Sequence, residues 1–226
     1  MVVRAVVFDL DGTIVNSPEL QRQAYNSVLE RYSINLSEDD WRDTHNGLTS
    51  VQIWEKVRDS YKLGEGLDIT SLNQERREIY KQMVREGHLT EIGGFSSFYT
   101  WLQDLVDDKV PILIATNGHP ESVEASLGSL GLLGEIKYYS IHHLNSGDKK
   151  ELYIHMGKEL GVSPLNFLVF EDSPSGSRVA KSVGAQHVVI NSNSLDPEVF
   201  SSASLVVDDY KEPHLRVLVR DLLQKD

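Results

Sequence analysis

Short apolar runs alternate with amphipathic stretches along most of this chain, and the alternation breaks once. The runs are Val2-Val3-Arg4-Ala5-Val6-Val7-Phe8, Val110-Pro111-Ile112-Leu113-Ile114-Ala115, Phe167-Leu168-Val169-Phe170, His187-Val188-Val189-Ile190 and Leu205-Val206-Val207. Each is too short for a helix and lacks polar alternation, which predicts strands buried on both faces. Helical periodicity between them predicts helices near 119–131, 150–161 and 175–184, with an amphipathic helix in the tail 210–226. Strands alternating with helices predict an α/β fold built on a doubly wound parallel sheet.

The break covers residues 16–91, which hold no strand pattern. Helices are expected there at about 18–32, 37–45, 49–61 and 71–87. Ser37 is a good N-cap for the second, since its hydroxyl can take up a free N–H of the first turn; Ser50 is a poorer one for the third. Leu63-Gly64-Glu65-Gly66-Leu67-Asp68 reads as a flexible break, and Gly93-Gly94 as the hinge after which the sheet resumes near Phe95. The expected organisation is a core of residues 1–15 and 92–226 with an inserted all-helical cap, residues 16–91. Trp41, Trp54 and Trp101 fall in helical patterns and read as core.

Composition narrows the function. The 226 residues hold 22 Lys+Arg against 34 Asp+Glu, a formal charge of −12, which disfavours nucleic acid and anionic membrane as partners. There are no cysteines, so disulfides, a thiol nucleophile and a cysteine zinc site are excluded. That fits a reducing, cytoplasmic setting. No apolar run approaches the roughly 18 residues of a membrane span, and the first run reads as a strand, not a signal peptide.

Four polar clusters sit at predicted strand ends. Asp9 and Asp11, in Asp9-Leu10-Asp11-Gly12-Thr13, leave the first strand. Two acids at that spacing can divide nucleophile and acid/base work beside a cation. Thr116-Asn117-Gly118 offers a hydroxyl, a close backbone approach and the start of a helix, which together suit an oxyanion. Asp148-Lys149-Lys150 places lysines at a helix start, where the dipole disfavours them unless a phosphate is bound. Glu171-Asp172-Ser173 offers hard oxygen ligands suited to Mg²⁺. Each has a bland reading when taken singly: a turn for the first two, an exposed charge cluster for the lysines, a helix-start acid pair for the last. His142-His143 would point opposite ways on a strand and reads as structural or surface. His45-Asn46-Gly47 ends a cap helix, with Asn46-Gly47 as its punctuation, and the same loop can face the active site.

Taken together in this order, the clusters make the chain resemble the haloacid dehalogenase superfamily of phosphatases and phosphomutases. Asp9 to Thr13 matches its first motif, Thr116-Asn117-Gly118 its second, and Phe170-Glu171-Asp172-Ser173-Pro174-Ser175-Gly176 its fourth. The helical insertion resembles the cap of the β-phosphoglucomutase/phosphoglycolate-phosphatase branch. The resemblance implies a Rossmann-like core and a Mg²⁺-dependent phosphatase of a small phosphorylated metabolite. It implies that Asp9 attacks phosphorus and that Asp11 protonates the leaving alcohol and then activates water. Mg²⁺ would be held by Asp9, the Asp11 backbone carbonyl and Asp172, with Glu171 close by; Thr116, Asn117 and a lysine would hold the phosphate oxygens.

One departure stands out. The branch usually carries Lys-Pro-x-Pro-Asp/Glu as its third motif, ahead of a helix, and here, with Glu151 at the motif's acid, Gly147 falls where that lysine belongs. Lys149 or Lys150 must then reach the phosphate from a shifted backbone, and Lys149 is favoured because Lys150 lies nearer the helix proper. A phosphomutase of the same fold is the nearest rival, and a non-catalytic binding protein the rival from another class. A dehalogenase is disfavoured, since that branch lacks an acid at the position of Asp11.

Overall fold

The computed structural model describes residues 2–45, 47–64, 66–106, 110–144, 148–192 and 194–224. Asn46, Glu65 and Gly147, singled out above, and the last two residues of the tail lie outside the described residues.

Among the described residues six parallel strands form one sheet: β1 (Ala5–Phe8), β2 (Ile112–Thr116), β3 (Lys137–Ser140), β4 (Phe167–Glu171), β5 (Gln186–Ile190) and β6 (Leu205–Val207). Their spatial order is β3-β2-β1-β4-β5-β6, the doubly wound Rossmann-like arrangement. Side chains alternate across the sheet with period two. Val6 and Phe8 of β1 enter one buried cluster, and Ala5 and Val7 the other. On the first face Phe8 stacks on Phe170 with ring centres 4.5 Å apart, and Phe95, Phe98 and Tyr210 close around them. Helices α5 (Phe95–Leu105), α6 (Pro120–Ser129) and α9 (Pro213–Leu223) cover this face; α7 (Lys149–Leu160) and α8 (Pro174–Ser182) cover the other.

The helices between β1 and α5 are α1 (Pro18–Leu29), α2 (Glu38–Asp40, continued by a wide turn Trp41–His45), α3 (Ser50–Tyr61) and α4 (Ile69–Arg85). They build a third apolar cluster around Tyr25, Trp41, Trp54 and Leu72. Ser37 caps α2 by accepting from the Asp40 N–H at 3.1 Å, as its sequence position predicts. The cap of α3 is Thr49, not Ser50: its hydroxyl and the Gln52 side chain form a reciprocal capping box. Helix α4 reaches the core, where the Tyr80 hydroxyl lies 2.9 Å from Ser126 Oγ of α6 and Lys81 pairs with Glu121 at 3.0 Å.

Three expectations need correction. The sheet does not resume near Phe95. Phe95, Phe98, Tyr99 and Leu102 recur at helical spacing and are the buried stripe of α5, so β2 begins only at Ile112. Strand β3 went unforeseen because Lys137-Tyr138-Tyr139-Ser140 is a short edge strand, exposed at its start. His142 and His143 lie on no strand but in the 3₁₀ turn Ile141–His143 that follows it.

Candidate active site

Strand order reverses between β1 and β4, and open α/β sheets bind ligands outside the carboxyl ends of strands at such a point. Asp9 is the first residue past β1. Its N–H donates to the Phe170 carbonyl at 2.8 Å, which fixes it beside Glu171, the last residue of β4. Asp172 follows, and carboxylate oxygens of Asp9, Glu171 and Asp172, all buried, lie within 4.8 Å of one another.

Lys149, at the start of α7, reaches between these acids. Its Nζ lies 2.7 Å from Asp9 Oδ1 and 2.5 Å from Glu171 Oε1. Burial opposes the Lys149 ammonium, yet the carboxylates of Asp9 and Glu171 hold its pKa well above the usual range. Burial pushes the Glu171 carboxyl up to about 7 against the pull of Lys149. Both directions follow from one ammonium serving several buried acids: it stays charged, and the group of acids stays short of positive charge. Tyr153 donates to Glu171 Oε1 at 3.3 Å, while Glu171 Oε2 is buried with no hydrogen-bond partner among the described residues.

Two glycines leave room for this cluster. At Gly12, φ is +77° and a Cβ would overlap the Asp172 carboxylate; at Gly176 a Cβ would overlap the Glu171 carboxylate. Gly176→Ala is therefore expected to expel Glu171 from its place. We predict a destabilisation of about 1–3 kcal/mol, the usual cost of overpacking, in thermal melts, together with a loss of divalent-cation binding. Wild-type melting and binding would contradict this placement.

Asp11 faces the other way, toward helix α1. Its Oδ1 accepts from the Ser17 hydroxyl, just ahead of α1, and from Gln21 Nε2 at 3.4 Å. Burial raises the Asp11 pKa, the Ser17 hydrogen bond opposes that, and the Asp9 charge raises it again. The net shift favours the protonated form that a general acid requires. The Asp11 carboxylate thus stands outside the cluster of Asp9, Glu171 and Asp172, and only its backbone carbonyl remains as the ligand expected of this residue.

Thr116 ends β2, buried, and accepts from the Gly118 N–H at 2.9 Å, which leaves its own proton to donate. Asn117 lines the same cavity, with Oδ1 buried and unpartnered among the described residues. Lys150, the alternative to Lys149 in the sequence, is exposed and does not line the cavity, because Asp148 caps α7 and successive helical residues point about 100° apart. His142 and His143 are exposed and outside the cavity, whereas His45 and Gly47 line it. Trp54 is core, as expected; Trp41 is core and also lines the cavity. The cavity measures 390 Å³ and lies between the strand ends and the helices α1, α3 and α4.

A family model described as haloacid dehalogenase-like hydrolase matches residues 6–190, a span that holds every one of these site residues. The chain belongs to the haloacid dehalogenase-like hydrolase family. Among relatives of this hydrolase, the "Putative phosphatase YhcW" of Bacillus subtilis is 23% identical over 97% of this chain and 98% of its own length. The "Phosphorylated carbohydrates phosphatase" of Thermotoga maritima is 23% identical over 82% of this chain and 84% of its own. The crystal structure of β-phosphoglucomutase from Clostridium difficile superposes with a TM-score of 0.78, at 16% identity, over 96% of each chain, and so shares the fold.

The hydrolase also brings to the cavity residues that sequence reasoning did not single out: Ser17, Gln21, Arg76 and Tyr80. One signal was present. Leu72, Arg76, Tyr80 and Val84 form the buried stripe of α4 at i, i+4 spacing, and an arginine within an apolar stripe is out of place without a polar partner.

Proposed function

We propose that this haloacid dehalogenase-like phosphatase hydrolyses a small phosphorylated metabolite (a sugar phosphate, glycerol phosphate or phosphoglycolate type) in a Mg²⁺-dependent reaction through an aspartyl-phosphate. The observation that carries it is the division between two acids on one strand end. Asp9 sits among Lys149, Glu171 and Asp172, while Asp11 is held apart by Ser17 and Gln21 with its pKa raised. Asp9 Oδ attacks phosphorus; the P–O bond to the alcohol breaks, and Asp11 gives the alcohol its proton. Asp11 then takes a proton from water as the water oxygen attacks the same phosphorus, and Asp9 leaves as carboxylate. Acid/base work of this kind contributes about 10²–10⁴ in rate. Thr116, Asn117 and Lys149 bind the phosphate oxygens. The cap, residues 16–91, closes over the core, residues 1–15 and 92–226, and keeps bulk water out.

The donor set fits a hard divalent ion. Three buried carboxylates converge, and one of their oxygens has no partner among the described residues. Asp9, Glu171 and Asp172, with the Asp11 carbonyl, would hold Mg²⁺, which supplies charge neutralisation on the phosphoryl oxygens. Among the described residues no helix is long and apolar enough to cross a membrane, and a cytoplasmic setting belongs to the same proposal.

Phosphate release from a panel of phosphorylated metabolites, with Mg²⁺ and with chelator, tests this reading; hydrolysis that survives full chelation would contradict it. Conversion of β-glucose 1-phosphate to its isomer without free phosphate would favour the mutase instead. Glu171 adds a pH dependence. Its carboxyl titrates near 7 without metal, and the ligand form is the carboxylate, so protons compete with Mg²⁺ below that point. Mg²⁺ affinity by calorimetry is expected to weaken up to about tenfold per pH unit below about pH 7. Equal affinity on both sides of that pH would contradict a Glu171 ligand that titrates near 7.

A further inference from the structure

Arg76 is an unusual buried cation. It is 5% exposed, lies on α4 and lines the cavity from the cap side. Among the described residues no carboxylate lies within ion-pairing distance of it. Nη1 donates to Gln21 Oε1 at 2.6 Å and Nη2 to Asn73 Oδ1 at 3.3 Å, both neutral amide oxygens. Its Cζ lies 5.1 Å from the centre of the Tyr25 ring, and Nε is buried with no hydrogen-bond partner among the described residues. A charge taken out of water normally has an ionic partner. Its charge is felt at Asp11, yet Asp11 spends its Oδ1 on Ser17 and Gln21. The other cations lining the cavity are Lys149, held by Asp9 and Glu171, and Arg178, which is exposed. The guanidinium is thus desolvated, belongs to the cavity wall and has no carboxylate partner among the described residues.

We infer that Arg76 forms a second anion subsite at the cap end of the cavity. The preferred substrate is then a phosphate monoester that carries another anionic group, a carboxylate or a second phosphate, on the far end of its carbon chain. This rests on the phosphatase reading above and names its substrate class. The transferred phosphate sits at Asp9, Thr116 and Lys149; the remote anion meets the guanidinium of Arg76 where it lines the cavity, while Gln21 and Asn73 hold the fork in place. A guanidinium matches the planar fork of a carboxylate and the oxygens of a phosphate equally well, so the two anions must be separated by experiment.

The test compares kcat/KM for propyl phosphate with that for its ω-carboxylate and ω-phosphate analogues, in wild type, Arg76→Gln, Arg76→Lys and Arg178→Gln. Wild type is expected to prefer one charged ester by about 10- to 100-fold, the size of a hydrogen-bonded contact to a charged group. That preference is expected mainly in KM. Arg76→Gln should bring the ratio near one, Arg76→Lys should keep part of it, and Arg178→Gln should keep it. Whichever charged ester leads identifies the anion. Equal turnover of all three esters by wild type would overturn the inference and leave the phosphatase reading standing. So would an Arg76→Gln that slows all three alike, as a purely structural arginine would, or a preference lost only in Arg178→Gln. Hydrolysis of none of the three, nor of the metabolite panel, would remove the phosphatase reading and this inference with it. Should Arg76→Gln fail to fold, the wild-type ratios and Arg76→Lys decide.

Discussion

Asp9→Asn is expected to abolish phosphate release, with a loss of more than about 10⁴-fold in kcat, or about 5.4 kcal/mol in barrier. An amide in this position has no nucleophilic oxygen anion, and it weakens the carboxylate cluster with Glu171 and Asp172. The variant should remain folded. The side chain is isosteric, the Asp9 N–H still donates to Phe170, and Lys149 keeps Glu171 as a partner. Circular dichroism and melting checked alongside a phosphate-release assay separate loss of chemistry from loss of fold. Residual turnover within about tenfold of wild type would sink the nucleophile assignment.

Lys149→Met is the second large effect, and it acts on stability and activity together. The ammonium is buried between two carboxylates, so its removal leaves like charges facing one another without compensation. Breaking a buried pair in this way costs about 3–5 kcal/mol. Glu171, already pushed up by burial, should respond by protonating. Mg²⁺ should restore part of the lost stability, since an ion that binds only the folded state stabilises it by mass action. Melting temperatures with and without Mg²⁺ measure this, and a variant as stable as wild type without metal would contradict the pairing. In saturating Mg²⁺, kcat should still fall by about 10²–10³, the usual loss on removing one preorganised donor to a developing oxyanion. Lys150→Met, by contrast, should change neither quantity, because Lys150 is exposed and away from the cavity.

The contrast between these two lysines shows where sequence reading runs out. Asp9, Asp11, Thr116 and the Glu171-Asp172 pair were legible because each follows an apolar run that can only be a buried strand, and a parallel sheet gathers its strand ends in one place. The choice between Lys149 and Lys150 depended on helix phase, which the Asp148 cap fixes and which two adjacent lysines do not reveal. Strand β3 was hidden because an edge strand need not be apolar, and α5 because aromatic residues after a Gly-Gly pair suit either strand or helix until their spacing is counted. Residues 16–91 were legible as helices, and the loop at His45-Asn46-Gly47 as able to face the site, but which helical side chains line it was not. Gln21, Arg76 and Tyr80 lie far apart in sequence, and only the packing of α1 against α4 and of α4 against α6 turns them toward Asp11. Arg76 left a trace, as the one charged member of an apolar stripe, that meant little without the facing helix.

The nucleophile itself is open to direct chemical trapping. Wild-type enzyme mixed with substrate and Mg²⁺, quenched in acid before the steady state and reduced with borohydride, converts an aspartyl-phosphate to homoserine, which peptide mass spectrometry locates. Homoserine at position 9 and none at position 11 is the expected result. Phosphate release with position 9 left unreduced, or with the label at position 11, would contradict the division of labour between Asp9 and Asp11.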